Sequence, residues 1–151
     1  LDEFTKKLLP LVTTWLSDLI YSVREHMAAQ LGALVQLFGV DWAIQTLAPI
    51  ILQFKKNQSY LIRQVTLMCV NHLHSFIPMN ILVKTFLPVV LQMSNDRVAN
   101  VKFLVAKTLL LFVGTNEPKV TQQIQACLKT LSNDADTDVK YFACMAHLKC
   151  Q

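Results

Sequence analysis

A short apolar segment built around a proline returns at a fixed interval along this chain, and the interval limits what the chain can fold into. Leu-Leu-Pro-Leu-Val at Pro10, Leu-Ala-Pro-Ile-Ile at Pro49 and Phe-Leu-Pro-Val-Val at Pro88 follow one another at 39 residues. Eight residues after each proline stand Asp18, Asn57 and Asp96, and Val23-Arg24, Ile62-Arg63 and Val101-Lys102 hold the next matched positions. A fourth copy, at a spacing of 38, supplies Asp134 and Val139-Lys140 and carries Ala126 in the proline's place. Self-similarity at a period of about 20–50 residues is the sequence mark of stacked repeat units, none of which buries its apolar face alone.

Each copy reads as two helices. Leu8, Leu9, Val12, Trp15 and Leu16 keep helical spacing in the first; Val23, Met27, Leu31, Leu34, Val35 and Phe38 keep it in the second. The later pairs are expected over 42–54 with 61–76, 81–93 with 98–113, and 119–131 with 137–149. With 3 Gly and 5 Pro among 151 residues, the turn residues that an all-β chain needs are scarce. The expected fold is all-α: a HEAT-type α-solenoid of about four repeats, antiparallel helix pairs in a right-handed superhelical stack. The expected organisation is a single array with repeats roughly over 2–39, 41–77, 80–114 and 118–150, part of a longer solenoid.

The matched positions have physical roles. Proline inside the first helix of a pair removes an amide hydrogen and is expected to bend it. Asp18, Asn57, Asp96 and Asp134 fall in the turn, where a short polar side chain can cap the second helix. Arg24, Arg63, Lys102 and Lys140, six residues later, are expected to reach the Asp or Asn of a neighbouring repeat, giving a structural ladder of charge-assisted hydrogen bonds.

Composition excludes several function classes. The net charge of +4 comes from 14 basic and 10 acidic side chains scattered along the chain, and the turns include Asp96, Asp134, Asp136 and Asp138. That pattern lacks the basic stripe of a nucleic-acid binder. No run of about 18 apolar residues is present, so no membrane partner is expected. Cys69, Cys127, Cys144 and Cys150 match neither a redox pair nor a zinc site, and they read as buried free thiols. His72 and His74, two apart on a helix, point to different faces, so neither metal nor cofactor is expected. No nucleophile elbow or phosphate-cradling glycine loop exists, and no catalytic residue is expected. Trp15 and Trp42 read as packing residues. With 53% hydrophobic and 16% charged residues, the surplus apolar surface is assigned to stacking faces, including an apolar outer face on the first copy, and to a partner-binding ridge.

Five segments carry a resemblance: Asp18-Leu-Ile-Tyr-Ser-Val-Arg-Glu25, Phe38-Gly-Val-Asp-Trp42, Asn57-Gln-Ser-Tyr-Leu-Ile-Arg63, the stretch from Val98 to Lys107, and Asp138-Val-Lys-Tyr-Phe-Ala143. Together they resemble the last four HEAT repeats of the scaffold (A) subunit family of protein phosphatase 2A. The chain departs from that pattern at Met145-Ala-His-Leu-Lys-Cys-Gln151 and between Gly114 and Lys119, as a divergent paralogue would. The resemblance implies a non-catalytic scaffold that holds a phosphatase catalytic subunit along the ridge of intra-repeat turns. Carried over by position, the partner-binding residues are Ile20, Tyr21, Tyr60, Val98, Asn100, Thr137 and Asp138. It also implies further regulatory subunits, bound through repeats outside this chain, and a cytoplasmic or nuclear location. The regulatory subunit of protein phosphatase 4, similar around Asp96 to Lys102 and Asp138 to Ala143, and a general transport or adaptor solenoid are the alternatives.

Overall fold

A computed structural model describes residues 2–150, with the side chain of Phe4 left out. Among the described residues there are helices and connecting turns and no strand. The chain divides into two compact units, Leu1–Ile77 and Pro78–Gln151.

The first unit holds α1 (Asp2–Leu16) and α2 (Tyr21–Phe38), then a composite helix and α5 (Tyr60–Leu73). The composite runs through α3 (Val40–Trp42), a π-helical turn (Ala43–Leu47), α4 (Ala48–Gln53) and a 3-10 turn (Phe54–Lys56). Helix α2 packs against both α1 and α5. Val12, Leu16, Leu31, Leu47, Ile51, Leu67 and Val70 are removed from water in this core, each contributing roughly 1.5–3 kcal/mol relative to exposure. Gly39, at a φ of 91°, ends α2 in a conformation that a side chain would strain.

The second unit holds α6 (Met79–Thr85), α7 (Leu87–Met93), α8 (Ala99–Leu109) with a 3-10 extension (Leu110–Phe112), α9 (Pro118–Leu131) and α10 (Thr137–Lys149). Helix α10 packs on α8 and α9 around Val101, Val105, Leu109, Ile124, Leu128, Val139 and Ala143. Lys107 Nζ lies 4.4 Å from the Phe103 ring centroid and 4.5 Å from that of Phe142, while the two rings meet edge to face at 4.5 Å. One cation thus bridges aromatic rings from consecutive repeats.

The repeated proline has three outcomes instead of one uniform bend. Helix α1 runs uninterrupted through Pro10. Before Pro49 the Ala48 amide reaches back five residues to the Ala43 carbonyl, so a wider turn makes room for the ring. Before Pro88 the helix breaks outright at Phe86, where φ falls to −108°. Where Ala126 replaces the proline, α9 is continuous.

Two packing expectations need correction. Trp15 is 43% exposed and not buried, because it lines an open groove with Val23, His26 and Met27 of α2. Trp42 packs as expected: it is half-buried, with its ring centroid 4.5 Å from that of Phe38 and its indole N–H donating to Thr5 Oγ1 of α1 at 3.3 Å. The four cysteines are free, as expected, but only Cys69 is buried; Cys127 and Cys150 are partly covered and Cys144 is exposed. Burial pushes the Cys69, Cys127 and Cys150 thiols above their ordinary values, with a Ser94 hydrogen bond opposing the rise at Cys127.

Candidate protein-binding turns

The four intra-repeat turns share one backbone device. Asp18 Oδ1 accepts from the Ile20 amide at 2.8 Å, Asn57 Oδ1 from Ser59 at 2.9 Å, Asp96 Oδ1 from Val98 at 2.9 Å and Asp134 Oδ1 from Asp136 at 3.0 Å. Each is an Asx turn. The expected cap on the second helix is therefore displaced: the side chain binds the amide of the residue that precedes the helix. Of the second helices, α10 does have a side-chain cap, supplied by Asp136, whose carboxylate accepts from the amides of Asp138 and Val139.

The basic residue six positions on completes the turn in two ways. Arg24 Nη1 donates to the carbonyls of Asp18 at 2.7 Å and Leu19 at 3.0 Å; Arg63 Nη1 donates to those of Asn57 at 3.0 Å and Gln58 at 2.9 Å. Both guanidinium groups are buried and close the turn of their own repeat. Lys102 does cross to the next repeat, pairing with the Asp134 carboxylate. That ammonium and the Asp136 amide hold the Asp134 carboxyl below the usual carboxylate range. Lys140 is exposed.

The braced turn of the first repeat presents apolar groups to solvent: Leu19 is 95% exposed, with Ile20 and Tyr21 largely exposed beside it. Tyr21 also lies beside its own arginine, 5.7 Å from the Arg24 guanidinium carbon to the ring centroid. In the second repeat, Tyr60 and Leu61 are exposed. In the second unit, Val98 is half-buried, while Asn100, Thr137 and Asp138 are exposed at the starts of α8 and α10. Leu19 and Leu61 escaped the sequence reading. Their signal was a large aliphatic residue in or just after a polar turn, where burial cannot explain it.

Among the described residues, no group of three or more His, Cys, Asp or Glu side chains is placed to hold a metal ion. No described helix is long and apolar enough to cross a membrane.

Paired helices at this period, joined by turns of one design, define an α-solenoid of the HEAT/armadillo class. The fold is shared with an engineered protein of known crystal structure, at a TM-score of 0.58 and 13% identity over 94% of this chain and 62% of that one. It is shared also with a designed armadillo repeat protein in complex with a (KR)4 peptide, at a TM-score of 0.58 and 14% identity over 99% of this chain and 68% of that one. In sequence the chain is related to the regulatory (A) subunit of protein phosphatase PP2A from Saccharomyces cerevisiae, with 30% identity over 127 residues and 78% of this chain covered. The match spans 20% of that relative's length. No family model matches the chain.

Proposed function

We propose that this chain is a non-catalytic scaffold segment that holds the catalytic subunit of a serine/threonine protein phosphatase along its intra-repeat turns. One observation carries the reading: a chain 30% identical to a phosphatase regulatory subunit projects Leu19, Ile20 and Tyr21 into solvent from a turn braced by Asp18 and Arg24. Bracing lowers the entropy lost on docking, and exposed aromatic residues are the type that anchors interfaces. The function is geometric: two partners held on one stack meet at a raised effective concentration.

The test is capture of a phosphatase catalytic subunit by the purified chain. Tyr21→Ala with Tyr60→Ala weakens capture about tenfold or more while helical circular dichroism is kept. Because Tyr21 also covers Arg24, Leu19→Asp serves as the second probe, altering a side chain exposed to solvent. Undiminished capture by both variants, or no capture by the parent chain, overturns the reading.

A further inference from the structure

Lys107 of α8 carries a charge at a position that its sister copies fill with apolar groups: Ala29 in the first repeat, Met68 in the second and Met145 in the fourth. It is exposed although α10 of the fourth repeat packs against α8, so stacking leaves this position open, and neighbouring repeats extend the surface without covering it. The side chain is nonetheless held. Its ammonium lies over the Phe103 ring of its own helix and the Phe142 ring of α10, and these two half-buried rings fix each other edge to face.

The ring contacts position the charge without neutralising it. Among the described residues no carboxylate pairs with Lys107. Of this unit's acids, Asp134 meets Lys102 and Asp136 caps α10, both at the turn. Met145, also exposed, occupies the matching position on α10, and Lys149 follows one helical turn later on the same side. Toward the ends of α8 and α10 the surface therefore offers two cations, two aromatic rings and a thioether.

We propose that this surface binds an acidic, extended segment of a partner protein, with a glutamate or aspartate carboxylate on the Lys107 ammonium and the apolar residues beside it on Phe103, Phe142 and Met145. Charge complementarity selects the occupant: a cation already seated on two rings has spent its side-chain freedom and has lost part of its water, so a counter-charge gains more there than on a free lysine. The ammonium also covers a face of each ring, which disfavours a stacking nucleic-acid base. The site lies apart from the intra-repeat turns, and the inference does not depend on the phosphatase reading.

NMR titration of the isotopically labelled chain with a capped heptapeptide carrying one glutamate between two leucines tests it. Saturable shifts are expected at Phe103, Lys107, Phe142 and Met145, and the same peptide with glutamine should bind about tenfold more weakly. Lys107→Met, a substitution to the residue that the second and fourth repeats hold at this position, keeps the fold and removes the preference for the glutamate peptide; Lys107→Arg retains it. Equal binding of the two peptides, shifts confined to other residues, or no saturation up to about 10 mM peptide overturns the proposal. So does a single-stranded oligonucleotide that shifts these resonances where the peptide does not, since lysine and rings then serve a nucleic acid.

Discussion

In the first unit the basic residue after the turn is an arginine that folds back onto the turn it came from. In the second unit the same position is Lys102, which leaves its own repeat to meet Asp134. The difference follows from the head groups. A guanidinium is a planar array of donors that can serve two carbonyl oxygens without a counter-charge, whereas an ammonium is a compact point charge that gains most from a carboxylate. One sequence register therefore has two mechanical meanings. Arginine stiffens a repeat internally and leaves Leu19, Ile20 and Tyr21 on a turn that holds itself. Lysine ties one repeat to the next, so that the turns carrying Val98 and Thr137 are fixed relative to each other.

The largest effect is expected at Arg24. Arg24→Met removes the donor from the Asp18 and Leu19 carbonyls while keeping much of the buried volume, and should cost about 2–4 kcal/mol in urea unfolding. Arg24→Lys keeps the charge and loses the fork, so it should recover less than half of that loss. Full recovery by lysine would erase the distinction between the units. The Arg24 Nε group is itself buried without a hydrogen-bond partner, so the guanidinium is held by its Nη1 contacts and by the Tyr21 ring.

The lysine rung should be weaker and should depend on pH. A double-mutant cycle of Lys102→Met and Asp134→Asn should give a coupling of about 1 kcal/mol, reduced by salt because the pair is partly solvated. The Asp134 carboxyl is held below its ordinary value in the folded chain. Its contribution is accordingly complete above the pKa of an unfolded aspartate, near 4, and is lost as pH falls through the lower folded value. Between about pH 5 and 2 the parent chain should lose more stability than Asp134→Asn. Equal pH slopes would show that the rung contributes nothing, leaving the Asx turn as the one device common to the four repeats.

The helix pairs were legible because burial imposes period and spacing together: Val12, Leu16, Leu31, Val101 and Val139 occupy the expected faces and are buried. The turn residues were legible in identity but not in target. Arg24 and Lys102 share a sequence position; their head groups favour different partners, but the path of the backbone sets which carbonyl or neighbouring carboxylate lies within reach. The prolines repeat this lesson, since Pro10, Pro49 and Pro88 sit in one register and are accommodated by an unbroken helix, a wide turn and a break. Trp15 was misjudged for another reason. Helical periodicity identifies the apolar side of α1, but it does not say which part of that side another helix covers. In the candidate site, Tyr21 and Tyr60 could be picked out from the resemblance and the repeat register, whereas Leu19 offered only the weaker signal of an aliphatic residue in a polar turn, since its exposure depends on the turn that Arg24 closes.

The smallest effect isolates what the two units share. Asp18→Ala and Asn57→Ala each delete an Asx-turn bond to an exposed amide that water can satisfy instead, so each should cost about 0.5–1 kcal/mol. Asn57→Asp should be close to neutral, since either side chain offers an oxygen to the Ser59 amide. Asp134→Ala should cost more than Asp18→Ala, because it removes the partner of Lys102 as well as the bond to the Asp136 amide. If Asp18→Ala instead matched Arg24→Met, the Asx bond would be the main brace of the first turn and the guanidinium only its filler. The comparison between arginine and lysine would then describe packing and not the mechanics of the turn.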